Sequence, residues 1–299
     1  MLVSLLCRSL LVAILAIAVI APFTFLVPKP LVLNKELPKI EVPIKPEMSD
    51  ADQKTLVKLP VNINEKALHN IKIPDFAAIK DIPTKKRKFF AFLLPAITAN
   101  NNKLITQRKK LALWHQQVSL GKGVTEEQDL LLRSWAEQYR INNNGSTLHV
   151  IEALLQRVDI IPSELVLVQA ANESAWGTSR FAKIGLNFFG IWCYQKGCGM
   201  VPKNRNAGAN HEVASFKSVE ASVAGYFNTI NKHNAYQLLR TLRADLRAKN
   251  QTLDPQVLAS GLIHYSERGK EYVLDITDML RQNQRYFIKP NLDSLLLID

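Results

Sequence analysis

The chain has 299 residues, a formal net charge of +12 and a hydrophobic fraction of 47%, enough for one core of a couple of hundred residues plus extensions. The sequence has no helix-turn-helix and no aromatic-basic signature, so the positive charge does not point to nucleic acid. Runs such as KKRK at 85–88 and QRKK at 107–110 read by default as solvated helix faces, with attraction to lipid headgroups or wall carboxylates as the sharper reading.

At the N-terminus, Arg8 is followed by SLLVAILAIAVIAPFTFLV. These roughly 19 uncharged residues suffice to cross a ~30 Å hydrocarbon core as a helix. Residues 1–27 are therefore expected to export the chain, in one of two forms. As a retained anchor they would hold the protein in the inner (cytoplasmic) membrane with its catalytic part in the periplasm. As a signal peptide, cut near the small residues Ala16-Ile17-Ala18, they would release it into the periplasm. Cys7 precedes the apolar run, which argues against a lipoprotein cysteine. Residues 28–71 are rich in proline and lysine and read as a linker. Its reach is ~130 Å as polyproline II and ~36 Å as a random coil.

The remainder, 72–292, reads as one mostly helical domain. Helices are expected around 84–118, bent or broken at Pro95, and around 147–157, 163–174, 218–231, 235–249 and 270–284. Thr125 to Gln128 form a capping-box pattern ahead of LLLRSWAEQY, and Asp254-Pro255 offers an N-cap with proline at the first helical position. Residues 185–216 are dense in glycine and asparagine and suit a small hairpin. The expected class is α+β, predominantly α-helical, with one small β excursion. Cys193 and Cys198 are the only cysteines of the exported part and read as a disulfide. A zinc site would need four ligands; His211 is the nearest further candidate and no fourth suggests itself, so no metal is expected.

The segment SELVLVQAANESAWG places Leu165, Val168, Gln169, Asn172 and Glu173 on one helical face. Glu173 thus follows a buried stripe, and burial disfavours a carboxylate, the condition a general acid needs near neutral pH. Gly177 is expected to end the helix and leave Glu173 at the rim of a groove. Alternatively, Glu173 is an ordinary exposed residue of a last helical turn. The aromatics Trp176, Phe188, Phe189, Trp192 and Tyr194 follow closely; they suit a sugar-binding cleft, though about half would serve as core. Asn187 is a candidate polar contact. Asp275 and Asp278 read as solvated.

The run QAANESAWGTSRFA followed by LNFFGIW resembles the signature of family 73 glycoside hydrolases, bacterial β-N-acetylglucosaminidases that cut peptidoglycan on a lysozyme-like fold. From about Ile73 to Phe287, with WCYQKGCG, AGANHEVASF and HYSERGKEYV, the chain resembles more closely the bacterial Bax proteins, a membrane-associated group carrying that domain. The resemblance implies extra N-terminal helices over 84–145 and a lysozyme-like, two-lobed catalytic core over 146–287. It places the catalytic glutamate on Glu173 and the family's late tyrosine on Tyr265, and it leaves Glu212, from the small β lobe, as the better candidate than Glu220 for a second carboxylate.

The leading expectation is an endo-β-N-acetylglucosaminidase that acts on peptidoglycan glycan strands, as a monomer and without a cofactor. Glu173 and Glu212 would be its catalytic pair, and Gln169, Trp176, Asn187, Phe189, Trp192 and Tyr265 would contact substrate. A lytic transglycosylase using the same glutamate and a non-catalytic wall-binding module are the alternatives.

Overall fold

The structure is a computed structural model and describes residues 66–142, 144–202 and 210–287. All of these fall in the unit spanning Val42–Asp299. The apolar run at 1–27, most of the linker and residues 288–292 of the expected domain lie outside the described residues. Among the described residues, no helix is long and apolar enough to cross a membrane.

Helix α1 spans Ile82–Ser119, 38 residues or ~57 Å of axis. Asp81 caps its start by accepting from the Thr84 amide at 2.8 Å. Of the two outcomes expected at Pro95, a bend or a break, the break does not occur: the helix is continuous through the proline. Pro95 is exposed while Leu93, Ala96 and Ile97 beside it are buried. The hydrogen bond that proline removes is thus lost on the solvent side, and the buried flanks hold the helix together across it.

Helix α2 (Glu126–Gln138) begins with the capping box expected at Thr125 and Gln128, both reciprocal bonds being present. Helix α3 is Thr147–Arg157, capped by Ser146, and α4 is Ser163–Ser174. A single apolar stripe was expected on α4. Instead every residue from Leu165 to Ala171 is buried, because α1 and the later helices pack around it. A helix that is apolar nearly all round is the centre of its fold rather than one of its walls.

A short helix α5 (Arg180–Gly185), not expected from the sequence, follows. The anticipated hairpin is a three-stranded antiparallel sheet, β1 (Trp192–Cys193), β2 (Gly199–Met200) and β3 (Glu212–Ala214), in the order β1-β3-β2. Cys193 and Cys198 are disulfide-bonded across the loop between β1 and β2. Gly199 is required there, because a Cβ would lie 2.0 Å from the Val213 carbonyl oxygen of the neighbouring strand.

Helix α6 (Val219–Lys232) leads through a 3-10 turn at Asn234–Tyr236 into α7 (Gln237–Ala248). Helix α8 (Pro255–Ala259) starts at the predicted Asp254 cap, and α9 (Lys270–Asn283) closes the described chain apart from a last 3-10 turn. The segment after α3 is tied to α7 through Asp159, which is 2% exposed and lies within 2.9 Å of Arg247, 3.5 Å of Arg108 and 4.0 Å of Arg243. Arg243, itself buried, donates to the carbonyls of Gln156, Arg157, Asp159 and Ile160. It thereby satisfies the acceptors that the end of α3 leaves open.

Candidate active site

The site is built on the C-terminal end of α4. Glu173, its penultimate residue, is half-buried. Directly after it the chain turns through three consecutive left-handed residues, Ala175 (φ 49), Trp176 (φ 58) and Gly177 (φ 75). Only the last is a glycine, although this conformation costs an L-residue roughly 1–2 kcal/mol. Ser174 holds the turn. Its hydroxyl donates to the Ala170 carbonyl at 2.6 Å and accepts from the Gly177 amide at 2.8 Å, and its carbonyl accepts from the Ser179 amide at 3.0 Å. Gly177 is needed for space as well as conformation, since a Cβ would fall 2.6 Å from the Phe76 ring.

The Glu173 charge is felt by four tyrosines: Tyr226 from α6, Tyr236 from the following 3-10 turn, Tyr265 and, from α9, Tyr272. Burial drives the hydroxyls of all four above the usual phenol range, and the Glu173 charge adds to the rise. They therefore remain neutral hydrogen-bond donors at any physiological pH. The Asn172 amide lies 3.3 Å from Glu173 Oε1. On the other side Gly190 has φ 66, and a Cβ there would stand 3.5 Å from Glu173 Oε2. Arg268, paired with Asp275 at 2.6 Å, also feels the Glu173 charge.

The structure redistributes the residues expected to touch substrate. Gln169 is fully buried one turn before Glu173, between the hydroxyls of Tyr226 and Tyr272. Phe189 is 1% exposed and stacks on Tyr226 at 4.4 Å, which makes it core. The hydroxyl of Tyr265 donates to the Phe189 carbonyl at 2.7 Å, and its ring stacks on Tyr272. Trp176 packs on Phe89 and Phe90 of α1 with Lys86 over its ring, so it faces that helix. Trp192 is half-buried on β1 and stacks on His211 at 4.1 Å.

Asn187 is not available as a ligand contact. It is 2% exposed; its amide donates to the Ile191 and Ala214 carbonyls and accepts from the Phe189 and Ile191 amides. All of its hydrogen-bonding capacity goes into joining the Asn187–Ile191 turn to β3. Glu212, 5% exposed on β3, accepts from the Gly197 amide at 3.0 Å and from the Gly199 amide at 2.8 Å. Its two oxygens hold the disulfide-closed loop. The atoms of Cys193, Cys198 and Glu212 lie within 4.8 Å of one another, but the sulfurs are bonded together, so the trio is not a metal-ligand set.

Sequence reasoning missed Tyr226, Tyr236, Tyr272 and Gly190. Tyr226 falls on the helical face of Val219, Val223 and Ile230, a periodicity that reads as core, and it is indeed buried. Only the tertiary fold, with α9 packed on α4 and Tyr226 reaching from α6 to Gln169, brings these core tyrosines within reach of the Glu173 charge.

The family model described as "Glucosaminidase: Mannosyl-glycoprotein endo-beta-N-acetylglucosaminidase" matches residues 149–285, which include Glu173 and all four tyrosines. The chain is 33% identical over 218 residues to the protein named "Protein bax" of Escherichia coli (strain K12), covering 71% of this chain and 75% of that relative. No solved structure matches the chain significantly. The domain is of the glycoside hydrolase type, and the chain belongs to the bacterial Bax-like proteins that carry a glucosaminidase domain.

Proposed function

We propose that this protein is a peptidoglycan hydrolase that cleaves the glycan strand after N-acetylglucosamine, with Glu173 as the general acid, in the manner of an endo-β-N-acetylglucosaminidase. The observation that carries this reading is the half-buried Glu173 at the end of the central helix, its charge acting on four tyrosines of the fold. A glycosidic bond breaks when an acid protonates the leaving oxygen. A carboxyl group held in a partly dry, pre-oriented pocket is suited to that step. Trp192, half-exposed on the sheet, offers an aromatic ring of the kind that stacks on sugars. The lysozyme-like two-lobed arrangement, export by residues 1–27 and work in the periplasm, tethered or free, are parts of the same reading.

Glu212 supports a second reading. Its oxygens are already taken by the Gly197 and Gly199 amides, which favours chemistry with a single carboxylate. Such a reaction is either assisted by the substrate's own N-acetyl group or is a lytic transglycosylation ending in an anhydro sugar. Mass spectrometry of purified peptidoglycan digested with the full chain, wild type beside Glu173→Gln, tests both. Fragments with a reducing N-acetylglucosamine end, made by wild type alone, establish the glucosaminidase. Anhydro ends establish the transglycosylase, and no fragments from either protein leave a wall-binding module.

A further inference from the structure

Helix α1 carries the basic runs KKRK at 85–88 and RKK at 108–110, with Lys103 between them, and neither Asp nor Glu anywhere along its length. Around α2, α7 and α9, by contrast, exposed basic side chains pair with acidic ones: Arg133 with Asp129 at 2.7 Å, Lys249 with Asp245 at 2.7 Å and Arg268 with Asp275 at 2.6 Å. Two of the α1 cations are used within the protein. Arg108 lies 3.5 Å from Asp159, and Lys86 sits over the ring of Trp176. Lys103, Lys109 and Lys110 are exposed, and among the described residues none of the three has an acidic partner.

The same outward face is not purely polar. Ile105, Leu113 and Leu120 are 38%, 65% and 68% exposed. At about 100° per residue they fall within an arc of about 80°, with Lys109 inside it and Lys103 and Lys110 beyond one edge. The buried Leu104, Leu111 and Trp114 lie on the opposite side of the helix. A lone exposed leucine needs no partner. Three aliphatic side chains in one stripe among unpaired lysines have the composition of a helix face that lies on a membrane. The aliphatic groups enter the headgroup boundary, while the lysine stems run along it and place their ammonium groups on phosphates.

We propose that the outward face of α1 from Lys103 to Leu120 is a docking surface for an anionic phospholipid bilayer, with headgroup phosphates on Lys103, Lys109 and Lys110 and the acyl boundary on Ile105, Leu113 and Leu120. Charge complementarity requires an anionic partner. The aliphatic stripe selects among such partners: an acidic wall polymer would engage the lysines and leave three apolar side chains in water, whereas a bilayer takes both. The chain before α1 fits the same occupant. Retained as an anchor, residues 1–27 would hold α1 close to the bilayer through a linker of ~36 Å random-coil reach, and at such a local concentration weak contacts suffice. The docking is independent of the reaction at Glu173. It would fix which side of the domain faces the lipid.

The test is lysine footprinting by mass spectrometry on the full-length protein with lipid nanodiscs, of phosphatidylcholine alone or with phosphatidylglycerol added. Labelling of Lys103, Lys109 and Lys110 is expected to fall about fivefold with phosphatidylglycerol. The exposed Lys196 and Lys249 should label equally with both, and high salt should remove the difference. Lys109→Glu combined with Lys110→Glu should return Lys103 to its labelling with phosphatidylcholine. Leu113→Ser combined with Leu120→Ser should weaken the protection of all three lysines; circular dichroism confirms that both variants are folded. Equal labelling of the three lysines with the two lipids would overturn the proposal. So would protection that appears only when purified peptidoglycan is added, which would assign the face to the wall. Co-elution with phosphatidylcholine discs reports the anchor separately; its failure would count against a retained anchor while the footprint still reads the α1 face.

Discussion

Glu212 and Gly199 are joined by a 2.8 Å hydrogen bond from the glycine amide to the carboxylate, so the carboxyl group nearest the disulfide serves the loop rather than open solvent. A second bond, from Gly197 at 3.0 Å, completes an anchor from β3 to the loop that Cys193 and Cys198 close. Glu212→Gln should therefore cost about 1.5–3 kcal/mol of stability, the usual worth of a hydrogen bond to a charged group. It should reduce glycan cleavage far less than Glu173→Gln does. Thermal unfolding beside product analysis decides this, and a loss of activity as deep as that of Glu173→Gln, in a protein of unchanged stability, would restore Glu212 as a catalytic partner.

Asn187→Ala should behave as a folding mutant. The substitution removes four hydrogen bonds and strands backbone groups at Phe189, Ile191 and Ala214. Roughly 2–4 kcal/mol of destabilisation in urea unfolding is expected. A variant of native stability with weakened substrate binding would return Asn187 to the cleft.

Gly177→Ala should disturb the turn that presents Glu173. The new methyl group would stand 2.6 Å from the Phe76 ring at φ 75. Overpacking and left-handed backbone together predict about 2–4 kcal/mol, with loss of activity beyond what the loss of folded protein explains. Circular dichroism melting and specific activity per folded molecule measure the two parts separately.

Asp159 predicts how the fold responds to acid. Burial pushes its carboxyl up, but the Arg247 hydrogen bond and the charges of Arg243, Arg108 and Arg247 hold it below the usual range. A carboxylate with a depressed folded value contributes stability that is present above the unfolded value of about 3.9 and is lost as pH falls through the folded one. Wild type should lose this contribution below about pH 4. Asp159→Asn should be less stable by about 3–5 kcal/mol at neutral pH, since it leaves Arg243 buried without its partner. Its stability should also fall less steeply with acid. Unfolding curves at pH 3 to 7 check the sign.

Much of this architecture was legible because it rests on local rules. The capping box at Thr125 and Gln128, the Asp254-Pro255 start, the span of α4 and the lone cysteine pair each depend on a few neighbouring residues. That the helix would continue through Pro95 was not legible, because propensity assigns a cost to a residue without knowing which side of the helix faces solvent. Glu173 was legible for a related reason: it is the one carboxylate at the end of an apolar run that meets a Trp-Gly turn.

What surrounds Glu173 was not legible. Gln169, Phe189 and Asn187 carry residue types that suit a sugar cleft, and the sequence alone assigned them there; packing sends all three inward. Tyr226 and Tyr272 lie 53 and 99 residues beyond Glu173 in the numbering, and in their own helices each has the periodicity of core. The sequence by itself determined the helices, their caps, the disulfide and the one glutamate worth testing, because those follow from contacts within a turn or two of the chain. The tertiary structure decided which polar groups come near that glutamate and which spend their hydrogen bonds on the fold, because that depends on how α9 packs on α4 and how Tyr226 reaches Gln169, long-range contacts that no local pattern records.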